Sequence, residues 1–211
     1  MRINEIVKWV SGPEVLDVGC TGHAESPTAP SWLHGKLRKQ FGNVTGIDTS
    51  TKNVEELQRL GFADIHVQSA EAICFDKRFN TIVAGELIEH LSNPGNFLES
   101  ARNHLARNGR LVITTPYPFS LAYSLYALKN FPVTCFNKQH TCWFCPSTLQ
   151  ELASRFGLKV VHWELIEDYT FDDPSRTYRT FSRIVTGLRW IIPYRLRCNH
   201  LLAVLQRVEE L

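Results

Sequence analysis

Between residues 14 and 115, short apolar runs and helical stretches alternate five times, and that rhythm constrains this chain more than any other feature. "EVLDVG" (14–19), "NVTGID" (43–48), "DIHVQ" (64–68), "FNTIVA" (79–84) and "RLVITT" (110–115) read as strands. They are almost continuously apolar, as strands covered on both faces must be. Between them, 31–41 reads as a helix capped by Ser31, and 50–61 as a helix capped by Ser50 and ended by Gly61. A third helix opens at Ser92 or Asn93 with Pro94 in its first turn, and Gly109 ends it. The expectation is an α/β, doubly wound, mostly parallel sheet with helices on both faces.

After Pro116 the rhythm breaks. Residues 116–145 are rich in aromatic side chains (Tyr117, Phe119, Tyr123, Tyr126, Phe131, Trp143 and Phe144), with a short helix expected near "LAYSLYALKNF". This insert after strand five reads as a substrate lid, although aromatic residues at helical spacing also serve as core. A helix at 146–157 and strands at 158–167 and 200–208 bring the sheet to seven strands, and 171–192 reads as weakly patterned helix. With no repeat and no linker, residues 1–211 are expected to form one domain.

"MRINEIVKWV" lacks the apolar core of a signal peptide, and no apolar run approaches the ~20 residues that span a bilayer. The expectation is a cytoplasmic protein without a membrane partner. A net charge of +2 indicates no general pull on nucleic acid. Arginines do gather late, at 176, 179, 183, 189, 195 and 197, as a phosphate- or partner-facing surface or as a solvated helix face. The six cysteines are scattered, unlike a secreted framework. Cys142 and Cys145 form a C-x-x-C near Cys135 and His140, which reads as buried thiols or as a zinc or redox site.

Ligands of open α/β sheets sit beyond the carboxyl ends of the strands. Those ends read "DVGCTGH", "GIDTS", "QSAEA", "GELIEH" and "TTPYP". The first is a glycine-bearing turn that lets a ligand approach the backbone. The second places Asp48 to accept hydrogen bonds from both hydroxyls of a ribose, which implies an adenosine-containing cofactor. "GCTGHA" lacks the G-x-G-x-x-G that cradles a pyrophosphate, so a dinucleotide is disfavoured.

Taken in order, "VLDVGC", "VTGIDTS", "SAEAICF" and "FNTIVAGELIEHLSNPGNFLESARNHLARNGRLVITTP" resemble the class I S-adenosylmethionine-dependent methyltransferases over roughly residues 13–160. The resemblance implies a Rossmann-like fold. It sets the turn Gly19, Cys20, Thr21 and Gly22 against the methionine part of the cofactor. Asp17 then orients that turn or reaches the amino group through water, Asp48 holds the ribose, and Ala70 and Glu71 border the adenine. Gly85, opening the fourth strand end, belongs to the same cofactor-facing set. Three positions depart from the pattern: Thr21 and His23 stand where the family's "GCGxG" has its second and third glycines, and Ser69 stands where many relatives carry an aspartate. "HAESPTAP", before the helix, is long enough to close over the cofactor.

Glu86, Glu89 and His90 are spaced to share one side of a turn at the sheet end where a methyl group is delivered. Three roles are open. His90 is a general base, or the three ligate a divalent ion, or they form a polar turn that bonds only backbone. The pattern E-x-x-E-H resembles the metal-binding turn of ubiquinone-biosynthesis O-methyltransferases. It also resembles that of small-RNA 3′-terminal 2′-O-methyltransferases, where a downstream histidine completes the site; His140 is the candidate here. A carboxylate-rich set favours Mg2+, and histidine leaves room for manganese or zinc. His34, on the 31–41 helix, either reaches the same cleft or is simply packed.

The leading expectation is methyl transfer from S-adenosyl-L-methionine to a hydroxyl of a small molecule, a sugar or a phenolic intermediate, with amine methylation close behind. The alternatives are an RNA ribose 2′-O-methyltransferase and a degenerate, non-catalytic partner of the same fold. Oligomeric state is left open, a homodimer included.

Overall fold

The computed structural model describes residues 2–22, 29, 31–130, 137–169, 183 and 185–208. Seven strands form one sheet: β1 (Val15–Val18), β2 (Val44–Asp48), β3 (Ile65–Val67), β4 (Phe79–Gly85), β5 (Leu105–Pro116), β6 (Leu158–Ile166) and β7 (His200–Arg207). Their order is β3-β2-β1-β4-β5-β7-β6. The first five run parallel, and β7 lies antiparallel between β5 and β6. The doubly wound, mostly parallel architecture is as the sequence implies. Order reverses between β1 and β4, so the crevice at their carboxyl ends is where a ligand has room to enter.

Alternation along the strands sends neighbouring side chains to opposite faces. Leu16, Ile82 and Ala203 join one core with Phe97, Leu98 and Ala101 of α4 (Pro94–His104) and Leu149 and Ala153 of α6 (Pro146–Arg155). Val15, Val83 and Val204 join the other, with Ile6 of α1 (Arg2–Lys8) and Leu37 of α2 (Leu33–Phe41). Val54 and Leu57 of α3 (Thr51–Arg59) pack with Cys20, Trp32 and Ile65. Ser50 caps α3 and Asn93 caps α4, each by accepting a hydrogen bond from the backbone N–H three residues on.

Two boundaries differ from the sequence reading. Ser31 does not cap α2: the helix starts at Leu33 after an extended Trp32, whose indole N–H donates to Cys20 O at 2.8 Å instead. Gly109 does not end α4, which stops at His104 as Leu105 enters β5. The register between β4 and β5 slips there, and Asn108 takes up the extra chain in a left-handed conformation (φ 60°) that asparagine tolerates. A short helix α5 (Leu121–Asn130) follows β5. Phe131 and Cys135, the "HAESPTAP" loop except Ala29, and Arg176 and Arg179 with most of the 171–192 helix lie outside the described residues. Among the described arginines of that region, Arg183, Arg189 and Arg195 are exposed, whereas Arg197 is buried and lies 3.5 Å from Glu167. No described helix is long and apolar enough to cross a membrane.

Candidate active site

The β1 strand ends in a turn that folds back on β2. Gly19 N–H and Cys20 N–H both donate to Ile47 O, at 2.8 and 3.1 Å. Gly19 has φ 78°. A Cβ there would lie 3.1 Å from Leu87 Cδ1, so this glycine lets the first turn sit directly against the turn after β4. Behind the loop, Gly46 leaves room for Cys20 and His34: a Cβ would fall 2.7 Å from the thiol sulfur and 3.0 Å from the imidazole Cε1. Gly46→Ala is expected to cost about 1–3 kcal/mol, through overpacking of a closed site. Denaturant unfolding would show it as a lower midpoint at unchanged slope.

Asp17 is buried, and His34 Nδ1 lies 3.1 Å from its Oδ2. Burial pushes the Asp17 pKa up, and the His34 contact opposes that push. His34, fully buried, thus braces Asp17 from below the loop. Cys20 is equally enclosed, and burial holds its thiol in the protonated form.

Asp48 is already well bonded. Its Oδ2 accepts from Thr21 N–H (3.2 Å) and the Thr21 hydroxyl (2.7 Å), and its Oδ1 from Ser50 N–H (2.9 Å). Further along, Ala70 is buried and Ser69 caps the short turn that carries Glu71. Glu71 Oε1 accepts from Asn93 N–H at 2.9 Å, which ties this turn to the start of α4.

The Glu-Glu-His turn divides. Glu86 follows Gly85 in a left-handed conformation (φ 53°), and its carboxylate faces Arg2 Nη1 at 2.9 Å and His200 Nδ1 at 3.0 Å. Glu86 is thus engaged by Arg2 and His200 and does not join the ligand-capable group, contrary to the expectation that it would act with Glu89 and His90. Glu89, His90 and His140 do come together: one ligand-capable atom from each lies within 4.8 Å of the others. Glu89 is 1% exposed, and neither of its carboxylate oxygens has a hydrogen-bond partner among the described residues. Burial lifts its pKa to about 7, against contacts with its own backbone, Thr115 and Arg2 that lower it. The His140 ring meets His90 edge-on at 4.7 Å, and burial with the neighbouring imidazole lowers its pKa to about 4. Thr141 fastens the 137–145 segment to this turn, donating from N–H to Glu89 O (2.8 Å) and from its hydroxyl to Leu91 O (2.7 Å). Trp143 then bridges His140 and Tyr123 of α5, at ring separations of 5.7 and 4.9 Å.

Cys142 and Cys145 are free, and neither belongs to a cluster of metal-ligating groups among the described residues. Burial would raise the Cys145 thiol, but hydrogen bonds from Ser147 and Thr148 outweigh it and bring the pKa to about 7.

Arg2 and His200 escaped the sequence reading. Because β7 is antiparallel, His200 at its start pairs with Pro116 and lies at the same sheet edge as the carboxyl ends of the parallel strands. Burial and Arg2 depress its pKa to about 3. The signal was a histidine heading an apolar run, legible only once the strand's direction is known.

Residues 3–163 match the family described as "Methyltransferase domain". Among curated proteins, a ubiquinone biosynthesis O-methyltransferase of Rickettsia prowazekii (strain Madrid E) is 32% identical over 162 residues, covering 72% of this chain and 60% of that protein. The enzyme of the same name from Pelagibacter ubique (strain HTCC1062) is 28% identical over 144 residues, covering 63% of this chain and 56% of that one. The chain thus spans less than two thirds of the length of these relatives. Among solved structures, a SAM-dependent methyltransferase from Archaeoglobus fulgidus superposes with a TM-score of 0.64 at 16% identity, covering 98% of this chain and 91% of that one. The plantazolicin methyltransferase BamL, solved with a triazolic desmethylPZN analog and SAH, gives a TM-score of 0.57 at 15% identity over 98% of this chain and 81% of that one. With the family match covering most of its length, the chain belongs to the methyltransferase-domain family.

Proposed function

We propose that this chain binds S-adenosylmethionine at the β1–β2 edge and transfers its methyl group to a hydroxyl oxygen of a small molecule. The observation that carries the reading is the contact of two turns: the Gly19 loop packs against Leu87, one residue from Ile88–His90, so a cofactor site and a cluster of proton- or metal-handling groups adjoin. The relatives' name, ubiquinone biosynthesis O-methyltransferase, favours a phenolic acceptor over a sugar.

The cofactor supplies an electrophilic methyl on a sulfonium when bound. Asp48 grips the ribose, Asp17 with His34 behind it steadies the loop, and Ala70 and Glu71 border the adenine. His90 stands ready to take the acceptor's proton, while His140, neutral near pH 7 because its pKa lies near 4, is a weak base suited to accepting a hydrogen bond. Positioning of acceptor and methyl in line supplies much of the rate. The aromatic group Tyr123, Trp143 and His140 forms the acceptor side, as the lid reading has it.

Glu89, His90 and His140 also fit a divalent ion. Two carboxylate oxygens without partners, buried beside two imidazoles, are what such an ion would satisfy. With Glu86 turned to Arg2 and His200, the set holds two imidazoles and one carboxylate. That composition suits zinc, manganese or iron better than Mg2+. The ion's chemistry would be to lower the pKa of an oxygen it holds.

A second reading, a non-catalytic partner of this fold, draws on Asp48 being occupied by Thr21. Calorimetric titration with S-adenosylhomocysteine in metal-stripped buffer separates the two. One-to-one binding is expected, with at least about tenfold weaker affinity in Asp48→Ala through loss of two hydrogen bonds to a charged group. No heat at millimolar ligand would sink the enzyme reading.

A further inference from the structure

A carboxylate offers about four acceptor positions. In Asp48 three are taken: two by Thr21, through its N–H and its hydroxyl, and one by Ser50 N–H. A ribose diol needs two, and one is left. The N–H groups of Thr21 and Ser50 belong to the backbone and stay in place. The Thr21 hydroxyl is the one donor of the three that a simple side-chain rotation removes. It is a strong competitor, since it lies 2.7 Å from Oδ2 in a buried position and accepts in turn from Asn53 Nδ2 at 3.5 Å.

We infer that the Thr21 hydroxyl is an internal stand-in for a ribose hydroxyl, latched on Asp48 in the empty site and displaced when the cofactor binds. The inference rests on the cofactor reading above and adds a cost to it. Each binding event exchanges one charge-assisted hydrogen bond for another, so the hydroxyl weakens affinity while keeping Asp48 ordered and satisfied when empty. A glycine at this position has no such group. Asn53, facing the released hydroxyl, gives it no second carboxylate to move to.

The test is calorimetric titration of the whole chain with S-adenosylhomocysteine, for the unaltered protein, Thr21→Ala, Thr21→Val and Thr21→Ser. Alanine and valine remove the competitor, valine keeping the branched shape in case alanine loosens the loop. Both are expected to bind about tenfold tighter, the worth of one hydrogen bond to a charged group. Serine keeps the hydroxyl and is expected to stay within about twofold of the unaltered protein. With the 2′,3′-dideoxy form of the ligand the gain should vanish, because no diol then competes. Equal or weaker binding by both alanine and valine variants, with the unaltered protein binding normally, overturns the latch alone. Absence of binding in all four proteins overturns the cofactor reading and the latch with it.

Discussion

Glu89→Gln is expected to raise the stability of the metal-free protein at pH 8 by about 3 kcal/mol, or roughly 6–10 °C in melting temperature. The Glu89 carboxyl is buried with no hydrogen-bond partner among the described residues, and its pKa stands near 7 against a reference of 4.5. The unfolded chain therefore releases this proton about two and a half pH units earlier than the folded one. Its contribution to stability is fully present below pH 4.5 and is lost as pH rises through 7. Glutamine keeps the shape without the charge, so the variant is spared that loss. His200, with its pKa near 3, acts with the opposite sign: its contribution is present above its unfolded value near 6.5 and is lost as pH falls towards 3. His140, half-buried and near 4, adds a smaller slope in the same direction. Above pH 6.5 the two histidines no longer tilt the curve; Glu89 lowers it, while Cys145, near 7 against 9, raises it in parent and variant alike, so the comparison of the two isolates Glu89. Thermal unfolding in a chelator at pH 5 and pH 8 reads the difference directly. The variant should gain at pH 8 and show no gain at pH 5. In the unaltered protein, zinc or manganese should recover the loss by pairing the carboxylate, and in the glutamine variant it should not. A variant no more stable than the parent at pH 8 would mean that Glu89 is satisfied in some other way.

The sheet was legible because its strands are buried on both faces, which leaves runs such as "FNTIVA" mostly apolar, with only Asn80 and Thr81 to blur them. Cap chemistry placed the starts of α3 and α4 for the same kind of reason: Ser50 and Asn93 each satisfy a helix N–H locally, within three residues. The failures are non-local. Ser31 lost its capping role to Trp32, whose indole finds its acceptor on Cys20, twelve residues upstream. Gly109 reads as a helix stop, but the cross-strand register with β4 claims Leu105–Pro116 as strand. In the site, three-residue spacing grouped Glu86 with Glu89 and His90 as if the turn were helical. One positive φ breaks that periodicity, and no local signal in "GELIEH" announces it. His140 was reachable from the motif pattern, whereas Arg2 and His200 depend on which strand runs backwards.

Glu86→Ala is expected to destabilise the fold by about 3 kcal/mol, at the lower end for a broken buried ion pair because Glu86 and Arg2 keep some exposure. Three segments meet on this residue. Arg2 brings the start of α1, His200 the start of β7, and the Glu86 N–H donates to Thr114 O of β5 at 2.8 Å. Removing the carboxylate leaves a guanidinium and an imidazole facing each other, the latter 5% exposed. The backbone adds a second cost, since a left-handed conformation strains any residue with a Cβ by roughly 1–2 kcal/mol. That separates two variants. Glu86→Gly loses the same contacts but relieves the strain, so it should be less damaging than alanine by about 1 kcal/mol. Denaturant unfolding of the pair measures this, and equal losses would show that the conformation is not held against strain. Glu86→Gln, which keeps one acceptor oxygen for Arg2 or His200 but presents an NH2 where the second oxygen stood, should fall between the parent and alanine. In this geometry Glu86 is held by Arg2 and His200, outside the group of Glu89, His90 and His140, and Arg2 also bears electrostatically on Glu89. A loosened Glu86 would therefore be felt first as weaker metal recovery at Glu89, before the sheet itself gives way.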